Sequence, residues 1–187
     1  MKVHKGYKTR TYPTIKQRKQ LACHFGASRW VYNHFLQLKN DQYIATGKSA
    51  TLLMMSRELT KLRSEINWLG GVSRQCVGTT LQNLDVAFNN FFEKRAKYPK
   101  FKKKHNRQSF KISSPFCPIK LDGVHIPLIG TLKCKLQLPK EYKLYSVAVS
   151  KTPTNKYFIS VNYECEIKEP KVAKYKPKIG LDFGLKT

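Results

Sequence analysis

The sequence predicts an α+β protein, in which a helical region separates one N-terminal strand from a small antiparallel β-structure. Two periodicities support this fold class. Between residues 13 and 98, apolar residues recur every three or four positions, as they do in helices that pack on one face. Beyond Gln108, apolar residues alternate with polar ones, as they do in half-buried strands. With 187 residues, the chain can bury a substantial core without disulfide bonds.

Residues 1–12 are predicted to form the first strand. In the segment VHKGYKTRTY, uncharged side chains alternate with basic ones, which include Lys8 and Arg10. No partner for a local hairpin follows this segment, so we expect the strand to join the β-structure near the C-terminus. The simplest topology is a split β-barrel in which the helices are inserted between the first and second strands.

The helical region begins at a predicted capping box, since Thr14 is followed three residues later by Gln17. Gly26 is predicted to end this first helix, and Ser28 is predicted to cap a second helix that ends at Gly47. Two helices joined at one glycine resemble a helix-turn-helix, although any helical hairpin in a bundle looks the same. A DNA-reading unit and an ordinary bundle are both compatible with this pattern.

Two further helices complete the predicted bundle. The third covers roughly Thr51–Ile66 and is closed by the segment Trp68–Gly71. Ser73 is predicted to cap the fourth helix, whose apolar stripe runs into a basic segment. The backbone N–H groups after Ser73, together with Arg74 and Gln75, form a candidate site for a DNA phosphate or base edge.

Three strands are predicted in the C-terminal part of the chain. They cover the segment GTLKCKLQLP at residues 130–139, Leu144–Ser150, and Tyr157–Ile167. The last two are separated by a turn at Lys151–Lys156, which contains Pro153 and Asn155. These two strands are therefore predicted to form a hairpin.

The charge of the chain indicates a polyanionic partner. The chain has 36 Lys and Arg residues against 11 Asp and Glu residues, and its formal net charge of +25 exceeds what solubility requires. Nucleic acid is the leading candidate. A membrane is not expected, because no apolar run approaches the ~20 residues of a spanning helix and the N-terminus lacks the apolar stretch of a signal peptide. We therefore expect a cytoplasmic, nucleoid-associated protein.

A basic strap, Lys97–Arg107, follows the fourth helix. Pro99 cannot continue a helix and biases Tyr98 toward extended backbone. Cations surround two aromatic rings, so the segment can bind phosphates and stack on bases. The residues predicted to contact nucleic acid are Lys97, Tyr98, Lys100, Phe101, Lys102, Lys103, Lys104 and Arg107, together with Lys8 and Arg10 of the first strand. The alternative is a solvated lysine-rich linker.

The residues alone do not assemble a catalytic or cofactor site. Glu164 and Glu166 lie on one predicted strand face, but a basic protein needs acidic partners for its own lysines. Asp182 lies in a short apolar strand that could present its carboxylate to a metal ion, although one carboxylate is weak evidence. The five cysteines are scattered, so we expect small buried residues rather than disulfides or a zinc site. No cofactor is expected for this chain.

Several segments occur together in a specific order and spacing. They are Tyr12–Thr14, Ala27–Asn33, Leu84–Phe92, Tyr98–Lys104, Ser109–Phe110 and Gly180–Lys186. With these segments the whole chain resembles the TnpB/OrfB family of bacterial insertion sequences. Members of this family are transposon-encoded, RNA-guided DNA endonucleases related to the type V CRISPR nucleases.

The resemblance implies a wedge-type, OB-like split barrel with an inserted helical recognition lobe, followed by an RNase H-like RuvC nuclease domain. The implied divisions are the first barrel strand at 1–12, the helical lobe at 13–98, the barrel with the strap at 99–170, and a linker with the first nuclease strand at 171–187. Guide RNA and double-stranded DNA are the implied partners, with the turn at Arg74 and Gln75 facing the target-adjacent duplex. Asp182 falls on a carboxylate that binds Mg²⁺ in a complete family member.

The later nuclease carboxylates and the zinc ribbon of the family have no counterpart in this sequence. The chain is therefore expected to be the N-terminal recognition half of such a protein, without nuclease activity unless a second chain supplies the rest of the nuclease domain. Two functions stay open. One is binding of guide RNA and target-adjacent DNA for RNA-guided cleavage associated with transposition. The other is that of a helix-turn-helix DNA-binding protein or repressor derived from a transposase.

Overall fold

The computed structural model describes residues 1–167, in which all helices lie between the first and second strands. The helices are α1 (Ile15–Thr46), α2 (Leu52–Glu65), α3 (Asn67–Gly70) and α4 (Arg74–Phe92). The strands are β1 (Lys2–Thr11), β2 (Gln108–Ser113), β3 (Ile119–Lys120), β4 (Gly123–Ile126), β5 (Gly130–Lys133), β6 (Lys143–Lys151) and β7 (Tyr157–Glu166). The predicted α+β class is confirmed. The predicted linker and nuclease strand, with Asp182, lie outside the described residues.

The strands form two antiparallel sheets. The larger has the order β1-β7-β6-β2, and the smaller has the order β3-β4-β5. β1 pairs along its length with β7, from Lys2 opposite Glu166 to Thr11 opposite Tyr157. The N-terminal strand therefore joins the C-terminal hairpin, as the missing local partner indicated. The strand pairings within residues 1–167 do not close a barrel.

Side-chain alternation gives the larger sheet one buried face and one polar face. Its buried residues include Phe110, Ile112, Val147, Val149, Ile159 and Val161. Because successive side chains point to opposite faces, Lys8 and Arg10 share the other face with their partners Ser160 and Phe158. The predicted basic face of the first strand is thus a face of the whole sheet.

α1 is one continuous helix of 32 residues, so the predicted break at Gly26 is wrong. A glycine in a helix interior costs about 1 kcal/mol relative to alanine. The neighbours Phe25 and Ala27 are buried in the core, and their burial offsets this cost. Ser28 lies inside α1 and therefore caps no helix. Its hydroxyl lies 3.1 Å from the Sγ atom of Cys76.

The two ends of α1 form as predicted. The Thr14 hydroxyl accepts a hydrogen bond from the Gln17 N–H at 3.3 Å, and the Gln17 side chain accepts one from the Thr14 N–H at 3.0 Å. At the other end, Gly47 adopts φ of 69°, a left-handed conformation that glycine tolerates without strain. The capping box and the C-terminal glycine therefore set the bounds of the helix.

The start of α4 differs from the prediction that Ser73 caps it with its side chain. Ser73 occupies the N-cap position, but its side chain makes no capping hydrogen bond. Its backbone N–H instead donates to Nε2 of the buried His24 at 3.2 Å. Nδ1 of His24 donates to the Gln20 carbonyl at 2.8 Å. A histidine of α1 therefore fixes the N-terminus of α4.

The alternating segment at 130–139 is a strand only over β5. Its pairing with β4 ends at Lys133 opposite Gly123, and a Cβ atom at Gly123 would lie 2.1 Å from the Leu132 carbonyl oxygen. Only glycine fits this close approach of two backbones. Residues 134–139 have no strand partner in the described part of the chain, so alternation alone did not make a strand there.

One hydrophobic core joins the helices to the sheets. Phe110 of β2 contacts Phe25 of α1 with ring centroids 5.3 Å apart. Cys76, Cys117 and Cys165 are buried, as predicted for the cysteines, whereas Cys23 is exposed and Cys134 is half-buried. None of the helices in residues 1–167 combines the length and apolar character needed to cross a membrane.

Candidate nucleic-acid interface

The strap has no regular secondary structure, yet α1 holds it in place. The Asn33 side chain makes two hydrogen bonds to the backbone of Lys102. Its Nδ2 donates to the Lys102 carbonyl at 3.0 Å, and its Oδ1 accepts from the Lys102 N–H at 2.8 Å. A second amide of α1, Asn40, accepts a hydrogen bond from the Tyr98 hydroxyl. The alternative of a solvated lysine-rich linker therefore does not fit this part of the strap.

Tyr98 attaches the strap to α4 as well. Its ring meets those of Phe88 and Phe91 edge-on, with centroid distances of 5.5 and 5.1 Å and interplanar angles of 87° in both pairs. Such edge-to-face contacts between aromatic rings are favourable. Tyr98 was predicted to stack on bases. In the structure it fixes the strap on two helices and keeps 45% of its surface exposed.

Lys102 also faces the protein. Its Nζ lies 3.8 Å from the centroid of the Tyr32 ring, a cation–π contact. Desolvation by burial lowers the pKa of Lys102. Its ammonium group is therefore part of the attachment to α1, although the residue as a whole is exposed like the other strap lysines.

The remaining strap cations point to solvent. They are Lys97, Lys100, Lys103, Lys104 and Arg107. Lys100, Lys103 and Arg107 line a cavity of about 290 Å³ together with Phe101, whose ring is 49% exposed. Arg29 of α1 adds a cation to the same cavity. Arg29 was not among the residues predicted to contact nucleic acid, although it lies in the segment Ala27–Asn33 that contributes to the family resemblance.

No strap cation has an acidic partner within the described residues. The ion pairs among residues 1–167 are His4–Glu164, Lys39–Asp85, Lys61–Glu65 and Arg95–Glu93. None of them involves Lys97–Arg107. The strap therefore concentrates positive charge that no carboxylate of residues 1–167 neutralises, as a phosphate-binding surface requires.

Lys8 and Arg10 form a second basic surface on β1. Nζ of Lys8 lies 4.7 Å from the centroid of the Phe158 ring, and the guanidinium carbon of Arg10 lies 4.9 Å from that of Tyr12. Arg10 also lines a groove of about 910 Å³ with Lys133 and Lys135. Lys133 and Lys135 were not among the residues predicted to contact nucleic acid.

The candidate DNA site at the start of α4 is rigidly supported. The Arg63 guanidinium donates to the carbonyls of Leu69 and Val72 at 2.9 Å each and to that of Gly70 at 3.3 Å. Burial, and next the nearby charge of Arg74, lower the pKa of Arg63. These bonds hold the loop that precedes α4. Arg74 itself is exposed and Gln75 is half-buried.

The start of α4 and the first part of the strap lie at opposite ends of this helix. α4 has 19 residues, and at 1.5 Å per residue it is about 28 Å long. Tyr98 of the strap contacts its C-terminal end, through Phe88 and Phe91, whereas Arg74 lies in its first turn. The last strap residues lead into β2, where the Phe110 ring centroid lies 5.5 Å from that of His24, the residue that accepts a hydrogen bond from the Ser73 N–H. The first part of the strap is therefore distinct from the surface at Arg74.

The acidic residues of β7 do not form a metal site. Oε2 of Glu164 accepts a hydrogen bond from the Tyr145 hydroxyl at 2.9 Å and lies 3.8 Å from Nε2 of His4. This hydrogen bond raises the pKa of Tyr145. Within residues 1–167, no three His, Cys, Asp or Glu side chains come together as metal ligands would. The Mg²⁺ that the resemblance implies would be held by Asp182, which lies outside these residues.

Comparison with known proteins finds matches to the N-terminal segment and to the whole chain. The helix-turn-helix domain of the OrfB/IS605 type matches residues 1–48. InsQ of Escherichia coli K12, provisionally named an RNA-guided DNA endonuclease, is 29% identical over 195 residues, which cover 99% of this chain and 46% of InsQ. VsdF of Salmonella dublin, named a virulence protein, is 34% identical over 107 residues, which cover 51% of this chain and 90% of VsdF. The chain belongs to the TnpB/OrfB family.

A further relative matches almost the same share of the chain. A protein of Streptomyces pristinaespiralis, also provisionally named an RNA-guided DNA endonuclease, is 29% identical over 191 residues, or 98% of this chain and 46% of its own length. The chain thus spans about half the length of these two relatives. The matched segment 1–48 consists of β1 and α1, so its helical part is one continuous helix in this family member.

Proposed function

We propose that this chain is the nucleic-acid-binding half of a TnpB-like protein, and that it binds guide RNA and target-adjacent DNA for RNA-guided DNA cleavage associated with transposition. The observation that carries the proposal is the strap. Its exposed cations have no carboxylate partners in the described residues, and α1 holds their backbone through Asn33 and Asn40. An ordered array of cations loses less conformational entropy on binding a polyanion than a free linker would.

The two separate surfaces suggest a division of labour. The strap, with Lys8 and Arg10, binds the RNA backbone, and Arg74 with Gln75 contacts the duplex next to the target. The support is the distance of about 21–26 Å along α4 between Arg74 and the two phenylalanines, Phe88 and Phe91, that Tyr98 contacts. In this proposal, Arg74→Ala lowers binding of motif-containing duplex DNA and leaves RNA binding unchanged, and equal loss of both would reject the division.

In this proposal, cleavage belongs to the nuclease domain of the family. The two sheets would form part of the family's wedge-type barrel, and Asp182 would provide one carboxylate for Mg²⁺ in a complete nuclease domain. Metal-assisted displacement of a phosphodiester needs further ligands to hold the ions about 3.5–4 Å apart. Residues 1–167 therefore act as a recognition module.

The salt dependence of RNA binding tests this function. Lys100, Lys103 and Lys104 are exchanged for Gln together, and Lys102 is left intact because it attaches the strap to α1. Three lost contacts at ~0.7 each should reduce the slope of log affinity against log salt by about 2. A matched variant with Lys16, Lys61 and Lys140 exchanged for Gln should keep its slope. An unchanged slope in the strap variant would contradict the proposal.

A second function is favoured by the description of the matched segment as a helix-turn-helix domain. In this alternative the chain is a DNA-binding protein or repressor that needs no RNA. The continuous course of α1 through Gly26 speaks against a helix-turn-helix inside this segment. Footprinting of duplex DNA by RNA-free protein would favour the alternative, whereas binding that requires RNA would reject it.

A further inference from the structure

A groove lined by aromatic rings lies beside the start of the strap. It is enclosed by the C-terminal part of α1, the last turns of α4 and the first strap residues, and it has a volume of about 400 Å³. We define this aromatic groove by the rings of Tyr43, Phe88, Phe91, Phe92 and Tyr98. Its volume falls in the range of pockets that hold small organic molecules.

Part of this aromatic surface is exposed. Tyr43 keeps 61% of its surface accessible and Phe92 keeps 66%. Phe92 contacts Phe91 with ring centroids 5.4 Å apart, and Phe91 is in turn fixed by the edge of Tyr98. Within residues 1–167, Tyr43 takes part in no ring pair. The groove therefore combines a fixed wall of rings with two rings that have free surface.

The floor of the groove carries polar groups but no available cation. The ammonium of Lys39, which is only 6% exposed, donates to the Ala50 carbonyl at 2.8 Å and lies 3.8 Å from the Asp85 carboxylate and 4.8 Å from the Phe88 ring centroid. The charge of Lys39 thus interacts with groups of the protein itself. Asn40 accepts from the Tyr98 hydroxyl, and its Nδ2 group has no hydrogen-bond partner among residues 1–167. The groove therefore does not favour an anion. It favours a flat polar ring that accepts a hydrogen bond.

Two exposed cations lie close to the groove along the chain. Lys97 directly precedes Tyr98, which lines the groove, and Lys100 follows two residues later. Rings with adjacent cations match the two parts of a nucleotide, because bases stack on aromatic side chains while phosphates bind lysine. A second copy of this chain is a poorer occupant, since two molecules with a formal charge of +25 repel each other.

We propose that the aromatic groove binds one unstacked nucleobase of a single-stranded nucleic acid whose phosphates follow the strap. This inference rests on the proposed nucleic-acid binding and adds a base-binding site to it. The free faces of Phe92 and Tyr43 stack on the base, and the Asn40 amide donates a hydrogen bond to its edge. Such a site selects single strands and loops, because a base in a duplex cannot enter it.

The test compares two probes and three exposed aromatic residues. The probes are a single-stranded oligoribonucleotide of about ten nucleotides and the same backbone with abasic sites, each measured by fluorescence anisotropy with the whole chain. The variants are Phe92→Ala and Tyr43→Ala, and the matched control is Phe116→Ala, a ring that is 46% exposed and does not line the groove. Phe92→Trp serves as a second variant that keeps a stacking surface.

Loss of one stacked base is expected to weaken binding of the base-bearing probe about 5- to 150-fold in Phe92→Ala, corresponding to ~1–3 kcal/mol. The abasic probe should bind equally well to Phe92→Ala and to the unaltered chain. Phe116→Ala should leave both affinities unchanged, and Phe92→Trp should restore binding of the base-bearing probe.

Other results would overturn the inference in distinguishable ways. If Phe92→Ala weakens both probes equally, or neither, the groove does not bind a base, although the proposed function stands. If Phe92→Ala instead dissociates an oligomer in sedimentation, the groove is an interface between copies. If the unaltered chain binds neither probe, the proposed function itself fails.

Discussion

The amide clamp between Asn33 and the strap can be tested with one substitution. In Asn33→Ala the Lys102 N–H and carbonyl lose the two hydrogen bonds that measure 2.8 and 3.0 Å. No charge is removed, so any change in RNA binding comes from the position and order of the strap. Asn83→Ala, which replaces an exposed asparagine of α4, is the matched control.

The size of the effect follows from the number and exposure of these bonds. A hydrogen bond contributes about 0.5–1.5 kcal/mol net. Both bonds are exposed, so water replaces them in part, and we expect a total loss of about 1 kcal/mol. If the strap must be ordered again when RNA binds, the affinity should fall about fivefold, since 1.4 kcal/mol corresponds to a factor of ten.

Two measurements check this expectation. Hydrogen exchange should show faster exchange of the Lys102 amide in Asn33→Ala. In Asn33→Asp, protection should be kept, because a carboxylate still accepts from that N–H. RNA titrations at several salt concentrations should show the lower affinity with an unchanged salt slope. If Lys102 exchanges at the same rate and RNA binds equally well in Asn33→Ala, the strap is not held by α1 as described.

Three further predictions concern the support of α4 and the nuclease residue. Burial lowers the pKa of His24 below its ordinary value of 6.5, so His24 is neutral in the folded chain at neutral pH. Its stability contribution is complete above pH 6.5 and is lost as the pH falls below this value, because the unfolded chain takes up the proton first. Unfolding titrations should therefore show a flatter pH profile below pH 6.5 for His24→Gln. Arg63→Ala removes three hydrogen bonds to carbonyls and should lower the free energy of unfolding by about 2 kcal/mol, whereas the exposed Arg57→Ala should change it little; equal effects would contradict the role of Arg63. Incubated with RNA, Mg²⁺ and plasmid DNA, the chain should cleave no more than Asp182→Ala; cleavage lost only in that variant would show a complete nuclease site.

Local signals predicted the helix ends, because such ends depend on a few neighbouring residues. Thr14 with Gln17 and the glycine at position 47 needed no information about the rest of the fold. The error at Gly26 has the opposite cause. A glycine stops a helix only when nothing else holds the following turn, and here Phe25 and Ala27 bury their side chains on either side. Packing between distant elements decided the outcome.

The extent of the strand within residues 130–139 was equally hard to predict. The alternation in residues 130–139 is regular, yet only the part that faces β4 forms a strand, because a strand requires a partner. For the candidate interface, the charged residues were visible in the sequence. The clamp by Asn33, the contact of Lys102 with Tyr32 and the aromatic groove depend on the approach of α1 to the strap, which the sequence does not show.

The sharpest test of the proposed binding of guide RNA is to look for RNA that co-purifies with the chain. The chain is expressed together with a genomic segment that carries a transposon end, and bound nucleic acid is extracted and sequenced. The strap variant with Lys100, Lys103 and Lys104 exchanged for Gln is the control. The proposed function predicts one defined RNA from the transposon end, strongly reduced in the strap variant. Protein that is free of RNA, or that carries the same unselected RNA in both forms, would contradict it.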